Sequence, residues 1–380
     1  MAYPYTDTGY NMYDMLSMIQ KSIRRCEYEH AGFAAQQLKN TYRKVMWNRL
    51  LVISAEDCFG ILTKELIALK EKDDRHPTDQ NLSNSVALLC RSKKSRDACY
   101  FACNFILVTR KPREIIPLKE HVEKLYKAVK KNTEGIAPGE KFSYDDSGFM
   151  QITMFEEPKE KVYDIPEKEV ERFRMGAALQ IAITHRDMDM MGYYMNEMRY
   201  EDRNLLWEVF IDFAKHYTTG NILNEIEALR SADNIVNDKK KDKDEIFISK
   251  AAIILCQAND ECFETMLSSD VVKHFKCIDW TDVRTKPIAD CRLVDGEIPE
   301  WVYDCHTLKG KKMGKTDWDM TTSEQAALTP LEPGYFDEAS WWYIYEQDYQ
   351  TGQATEKQMI PIREFAKTHS ANPVEVIPYE

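Results

Sequence analysis

The chain has 380 residues, an apolar fraction of 43% and a formal net charge of −12 at neutral pH. This composition is typical of a globular protein with a sizeable core, and it excludes a surface uniformly coated with positive charge for nonspecific wrapping of DNA. No apolar run reaches the length of about eighteen residues that predicts a membrane span, and the first residues lack the basic and apolar regions of a signal peptide. We therefore expect a cytoplasmic protein without membrane contact. Its 10 cysteines match no disulfide or zinc spacing and are expected to be reduced.

Apolar residues recur with helical periodicity from Tyr13 to about Lys131 and again from Glu167 to about Phe275. The stretch between them is rich in Gly, Pro and Asp, and from about Ile278 the helical pattern gives way to frequent aromatic residues. We predict a mainly α fold whose aromatic-rich C-terminal segment packs over the second helical unit or forms a small appended module. The predicted parts are a helical unit at 1–135, a linker or loop excursion at 136–166, a second helical unit at 167–277 and the C-terminal segment at 278–380.

The two helical parts are related by an offset of 160 residues. The segment "IQKSIRRCEYEHAGFAAQQL" aligns without a gap with "LQIAITHRDMDMMGYYMNEM", and the register continues through the following helix. Paired positions include Gln20 and Gln180, Gly32 and Gly192, and Trp47 and Trp207. A gapless register that keeps these residue types predicts an internal duplication, and the tryptophans are expected to be core anchors.

The segments "SMIQKSIRRCEYEHAGFAAQQL", "WNRLLVISAEDCFG" and "VALLCRSKKSRDACYFA" resemble the helical C-terminal part of the replication-associated recombination protein A family (RarA, also called MgsA). These proteins are clamp-loader-like AAA+ ATPases of replication forks. The resemblance covers about Leu16 to Lys131 and implies a helical domain that supports oligomer assembly and contacts with replication partners. The ATPase half of the family should precede this region, but only some fifteen residues do so here. ATP hydrolysis is therefore not implied, and an accessory protein encoded by a phage or mobile element fits this arrangement.

The segment "SAED" carries a carboxylate pair, Glu56 and Asp57, beside Ser54. Such a pair can bind a metal ion or act in acid–base catalysis. The equivalent positions 214–217 read "AKHY" and lack acids, which argues against a role shared by both units. We therefore expect these side chains to make structural hydrogen bonds.

The segment "HTLKGKKMGKT" at 306–316 ends like a phosphate-binding P-loop. In a Walker A motif the second glycine stands five positions after the first, whereas Gly314 stands only four positions after Gly310. No apolar strand precedes the segment either. Nucleotide binding is therefore not predicted, and no cofactor or metal is assigned.

We instead predict a flexible, glycine-hinged basic loop that contacts nucleic-acid phosphates. A second basic patch is expected at "RSKKSR", and a solvated loop paired with the acidic body is the alternative for either segment. The predicted contact residues are His306, Thr307, Lys309, Gly310, Lys311, Lys312, Gly314, Lys315, Thr316, Arg91, Lys93, Lys94 and Arg96.

The preferred hypothesis is a non-catalytic accessory protein of DNA replication or repair that binds nucleic acid or a replication partner through these basic loops; a homo-oligomer is compatible with it. One alternative is an oligomerising adaptor or inhibitor that binds another protein and no nucleic acid. Another is a metal-dependent enzyme that uses His306 with Asp304, Asp317 or Asp319.

Overall fold

The computed structural model describes residues 4–58, 62–92, 94–107, 115–133, 165–217, 220–237, 244–257, 286–316, 349, 352 and 354–369. Within these ranges the chain forms α-helices and short 3-10 or π-helical turns but no β-strand, which confirms the predicted mainly α fold. None of these helices combines the length and apolarity needed to cross a bilayer.

The helices follow one another in chain order as α1 (Met12–Arg24), α2 (Tyr28–Leu38), α3 (Arg43–Glu56), α4 (Thr63–Arg75), α5 (Asp79–Arg91), α6 (Asp97–Phe101), α7 (Lys119–Thr133), α8 (Glu167–Thr184), α9 (Met188–Glu201), α10 (Arg203–Tyr217), α11 (Gly220–Asn237), α12 (Ile246–Gln257), α13 (Leu308–Lys312) and α14 (Glu356–His369). A π-helical turn covers Ala102–Ile106, and 3-10 turns cover Ile288–Asp290 and Glu300–Val302.

The chain divides into two compact units. The first compact unit contains Met1–Tyr100, Ala228–Lys250 and Glu261–Glu380, and the second contains Phe101–Glu227 and Ala251–Asp260. This division differs from the predicted boundaries, which followed chain order. Helical periodicity locates helices but says nothing about which of them pack together, so a boundary read from it follows the sequence rather than the contacts.

Helix α7 illustrates the difference in the second compact unit. The sequence placed it in the first helical part, but its aromatic face packs on α8. The rings of Tyr126 and Phe173 meet edge to face with centroids 5.0 Å apart. Lys130 Nζ also lies 3.6 Å from Glu169 Oε2. These contacts place α7 with the helices that follow it.

Residues 286–316 of the C-terminal segment pack on α1 and α2 within the first compact unit. Ser17 Oγ donates to the Val302 carbonyl at 2.6 Å, and the Tyr28 hydroxyl donates to the Lys286 carbonyl at 2.7 Å. The guanidinium of Arg25 lies 4.7 Å from the centre of the Trp301 ring. The expectation that this segment covers the second helical unit was therefore wrong for residues 286–316. Trp280, Trp318, Trp341 and Trp342 lie outside the described residues.

The helix bounds repeat with the sequence offset. Helices α2 and α9 begin at Tyr28 and Met188, and α3 and α10 begin at Arg43 and Arg203, so each pair is separated by 160 residues. The turns before α2 and α9 also match, because Cys26 (φ 58°) and Arg186 (φ 53°) both adopt the left-handed conformation that ends a helix. In each turn the amide of the next residue bonds back to a helix carbonyl, Glu27 to Ser22 and Asp187 to Ala182, at 2.9 Å. This agreement supports the proposed duplication.

Gly32 and Gly192, which are paired by the 160-residue offset, both allow another segment to pack closely against a helix backbone. A Cβ atom on Gly32 would lie 2.4 Å from Cys291 Sγ, and one on Gly192 would lie 2.3 Å from the Phe105 carbonyl oxygen. In both compact units the second helix of the repeat therefore needs a glycine because another segment packs directly against its backbone. The partner segments are the 3-10 turn at Ile288–Asp290 and the π-helical turn, respectively.

Both paired tryptophans are core residues, as predicted: Trp47 is 2% exposed and Trp207 is 1% exposed. The indole of Trp47 donates to Asp73 Oδ2 at 2.7 Å. Arg43 reaches the same carboxylate with Nε at 2.7 Å and Nη2 at 2.5 Å. The carboxylate thereby joins α3 to α4 in the first compact unit.

Candidate functional site

The basic segment is a helical turn rather than the predicted flexible loop. Thr307 caps α13, because its hydroxyl accepts the Gly310 amide at 3.1 Å. Gly310 is not a hinge: a Cβ atom there would lie 1.9 Å from the Asp304 carbonyl oxygen, so the glycine permits close backbone packing. The second glycine, Gly314, has φ +76° and follows the end of the helix.

The structure keeps the predicted lysines together on this turn. Lys311 and Lys312 are exposed, and Lys309 Nζ lies 3.9 Å from the centre of the Tyr303 ring. Lys315 Nζ lies 3.4 Å from Glu300 Oε1. Solvent reaches both side chains and screens this ion pair. His306 and Thr316 are exposed at the two ends of the segment. The exposed side chains form a basic surface within residues 306–316, called the basic turn below, whereas the predicted contact residues Thr307 and Gly310 are buried.

Two of the four basic side chains in the second predicted patch, Lys94 and Arg96, are buried. Lys94 has no exposed area, and its ammonium donates to the Leu89 carbonyl at 2.7 Å, to the Cys90 carbonyl at 3.3 Å and to Ser92. It therefore closes the C-terminal end of α5, where helix carbonyls lack intrahelical donors. Arg96 is also buried, Arg91 is exposed and Lys93 lies outside the described residues. A fully buried ammonium cannot contact a nucleic-acid phosphate, so Lys94 has a structural role.

A cluster of buried charges lies between α1, the end of α3 and the chain before α6. Arg24 donates from Nε to Asp57 Oδ1 at 2.5 Å, and its Nη2 lies 3.4 Å from Glu56 Oε1. Arg96 Nη2 lies 3.3 Å from the same Glu56 oxygen. The two acids of "SAED" therefore neutralise two guanidinium groups inside the protein.

Gln20, on α1, links these two acids to Arg49 of α3. Its amide nitrogen donates to Asp57 Oδ2 at 2.8 Å and to Glu56 Oε2 at 3.0 Å. Its amide oxygen accepts from Arg49 Nη1 at 2.9 Å. We call the group formed by Gln20, Arg24, Arg49, Glu56, Asp57 and Arg96 the charge cluster. It confirms the expectation that Glu56 and Asp57 make structural hydrogen bonds.

Burial and the neighbouring positive charges shift the pKa values of Glu56 and Asp57 in opposite directions. Burial alone would raise the pKa of Glu56, but the positive charges of Arg96, Arg24 and Arg49 outweigh it and lower that pKa below its ordinary value. Burial is the main reason why the pKa of Asp57 is raised, although Arg24 opposes the shift.

Lys21 fixes the C-terminal segment beside the charge cluster. Its ammonium donates to the Trp301 and Val302 carbonyls at 3.0 and 3.1 Å and lies 2.8 Å from Asp304 Oδ2. Both side chains are about nine-tenths buried. Burial disfavours the charge of Asp304, but the hydrogen bond and the charge of Lys21 hold its pKa below the usual value. Asp304 Oδ1 also accepts the His306 amide at 2.8 Å.

A cavity of about 340 Å³ opens between these groups in the first compact unit. Its wall contains seven polar or aromatic side chains that matter here: Arg24, Arg49, Glu56 and Arg96 of the charge cluster, together with Lys21, Asp304 and Tyr13. His306 and Thr307 also line it, so the basic turn begins at the cavity.

The described ranges contain no group of three His, Cys, Asp or Glu side chains placed to hold a metal ion. Of the suggested metal-site residues, Asp304 is bound by Lys21 and backbone amides, whereas Asp317 and Asp319 lie outside the described residues. The metal-dependent enzyme therefore gains no support from the geometry that surrounds His306.

Sequence reasoning did not predict three residues of the cavity wall, namely Gln20, Arg24 and Arg49. The first two share a face of α1 because they are four residues apart, which is a local signal. Their partners come from α3 and from the chain before α6, so only the tertiary structure brings them together.

Comparison with known proteins found no protein-family model that matches the chain, no similar characterised protein and no similar solved structure.

Proposed function

We propose that this protein is a non-catalytic accessory factor of DNA replication or repair that binds nucleic-acid phosphates through the basic turn. The observation that carries the proposal is the concentration of positive charge in a chain of net charge −12. Residues 305–316 contain lysines at 309, 311, 312 and 315 and no acidic residue. Such a local excess attracts a polyanion even when the whole protein is acidic.

The helical geometry organises these lysines. Lys309 and Lys312 are three residues apart and therefore share one face of α13. The ring of Tyr303 lies under the Lys309 ammonium, which reduces the freedom of that side chain. A partly ordered ammonium loses less entropy when it contacts a phosphate. The capped turn thus presents an organised set of point charges.

The replication or repair assignment rests on the resemblance of Leu16 to Lys131 to the RarA family. The segments that carry it meet in the first compact unit: "IQKSIRR" supplies Lys21 and Arg24, "SAED" supplies Glu56 and Asp57, and "RSKKSR" supplies Arg96. Their convergence gives them a shared structural role in this chain.

Fluorescence anisotropy with labelled single-stranded DNA, double-stranded DNA and RNA, measured over a series of salt concentrations, tests the proposal. We expect affinity to fall steeply with salt, because bound phosphates release counterions. Changing Lys309, Lys311, Lys312 and Lys315 to Ala should weaken binding and reduce the slope of log affinity against log salt by about 2 to 3.

A matched control removes the same charge elsewhere on the first compact unit. Lys44, Lys64, Lys72 and Arg75 are exposed on α3 and α4. Their combined change to Ala should leave the salt slope unchanged. Equal affinity of the wild-type protein and the basic-turn variant would refute the assignment of the basic turn.

The adaptor hypothesis remains a second candidate because apolar side chains lie among the lysines. Leu308 is 40% exposed and Met313 is 43% exposed at the two ends of α13. Apolar groups bordered by cations suit an acidic protein partner. A pull-down from native lysate with and without nuclease distinguishes the two candidates, since a protein partner is retained after the nuclease treatment.

A further inference from the structure

The cavity beside the basic turn has an excess of positive charge in its surroundings. Lys21 and Asp304 form a pair, so together they contribute no net charge. Of the charge cluster, the guanidinium groups of Arg24, Arg49 and Arg96 and the carboxylate of Glu56 line the cavity. The lining side chains therefore include more cations than anions, and this arrangement favours an incoming anion.

Arg49 is the cation best placed to receive that anion. It lines the cavity and is only half-buried, so it is accessible to a small molecule. Among the described residues its guanidinium makes one hydrogen bond, to the amide oxygen of Gln20, and it has no carboxylate oxygen within ion-pair distance. A guanidinium has five N–H donors in a planar fork that matches phosphate and carboxylate oxygens.

The rest of the cavity restricts the size and character of the ligand. A volume of about 340 Å³ is at the lower end of small-molecule pockets, so it accommodates a metabolite rather than a polymer. Leu16 supplies an apolar wall, and Tyr13, which is 56% exposed, presents an aromatic ring at the edge. An anionic head group with a small planar or apolar body fits these features.

The geometry points to a binding site for a small organic anion, with its phosphate or carboxylate group held by Arg49 and further attracted by Arg24 and Arg96. This site is separate from nucleic-acid binding by the lysines of the basic turn. The inference therefore does not depend on the proposed function. Because Glu56 and Asp57 hold Arg24 and Arg96 in place, the positively charged wall exists before the ligand arrives, which lowers the cost of binding.

Isothermal titration calorimetry on the full chain at constant ionic strength tests this site with inorganic phosphate, adenosine monophosphate and succinate as separate probes. We expect at least one probe to bind with one-to-one stoichiometry. The comparison between the first two shows whether the aromatic edge contributes, and succinate shows whether a carboxylate suffices. Absence of binding by all of them at millimolar concentration would overturn the inference.

Substitution of Arg49 then locates the site. Arg49→Gln should weaken binding by about ten- to a hundredfold, the range expected for loss of hydrogen bonds to a charged group. Arg49→Lys keeps the charge but loses the fork, so it should weaken binding less. Arg75→Gln, at an exposed position on α4, is the matched control. Unchanged affinity in both Arg49 variants would show that the anion binds elsewhere and would equally overturn the inference.

The lysine variant of the basic turn separates the two proposals. If the cavity binds the small anion, the variant with Ala at 309, 311, 312 and 315 should retain that binding even when it has lost nucleic acid. Loss of small-anion binding in this variant, with Arg49→Gln unaffected, would assign the anion to the basic turn and refute the cavity site.

Discussion

Replacing Lys21 with methionine should release the C-terminal segment from α1 while leaving the helices in place. Methionine fills a similar volume but cannot donate to the Trp301 and Val302 carbonyls or pair with Asp304. The Asp304 carboxylate, whose side chain is 10% exposed, would then be buried without its cation. The segment that carries the basic turn would lose its Lys21-mediated connection to α1.

The expected cost follows from these contacts. Removing one partner of a buried ion pair costs about 3 to 5 kcal/mol. Asp304 keeps the amides of His306 and Thr307 as donors, at 2.8 and 3.2 Å, so the lower end of this range applies. A loss of about 3 kcal/mol corresponds to roughly a hundredfold increase in the open population of the segment.

Hydrogen exchange followed by mass spectrometry measures this local opening directly. Peptides covering residues 300–315 should exchange roughly a hundredfold faster in Lys21→Met, whereas peptides from α4 should not change. Lys44→Met, at an exposed position on α3, is the matched control. The double variant Lys21→Met with Asp304→Asn should open less than Lys21→Met alone, because no unpaired charge remains.

Unchanged exchange at residues 300–315 in Lys21→Met would refute the reasoning. It would mean that the remaining contacts, including the hydrogen bond from Ser17 to Val302 and the contact of Arg25 with the Trp301 ring, hold the segment in place.

Two further predictions concern backbone packing and pH. Gly310→Ala should destabilise α13 by about 3 kcal/mol or more, because the added Cβ atom would lie 1.9 Å from the Asp304 carbonyl oxygen. At Gly314 a Cβ atom would meet no neighbour, but the backbone has φ +76°, so Gly314→Ala should cost only about 1 to 2 kcal/mol. If hydrogen exchange at residues 300–315 gave equal free-energy costs for the two alanine variants, this prediction would be wrong. Burial opposes ionisation of Asp73, but hydrogen bonds from Arg43 and Trp47 outweigh it and lower its pKa. Its contribution to stability is therefore complete above the unfolded value of about 3.9 and is lost as pH falls through the lower folded value. In urea titrations, the difference in unfolding free energy between the wild type and Asp73→Asn should stay constant above about pH 6. It should shrink as the pH falls from the unfolded pKa of Asp73 to its lower folded pKa.

Local structure could be predicted from the residue pattern alone. The apolar period predicted the helices, and the 160-residue offset matched the starts of α2 and α9 and of α3 and α10. Helix periodicity, capping residues and left-handed turns act over a few neighbouring residues, so a linear pattern records them. The clustering of lysines at 309, 311, 312 and 315 was likewise a property of the sequence.

The tertiary structure decided which charges are accessible. Lys94 and Lys311 belong to similar basic runs, yet the first is buried at the end of α5 and the second is exposed on α13. Gly310 suggested a hinge in the sequence, but the approach of the Asp304 backbone gives it a packing role. The cavity depends on Gln20, Arg49 and Arg96 meeting from distant parts of the chain. Such contacts form only when whole helices pack, because burial and ion pairing depend on neighbours that are remote in sequence.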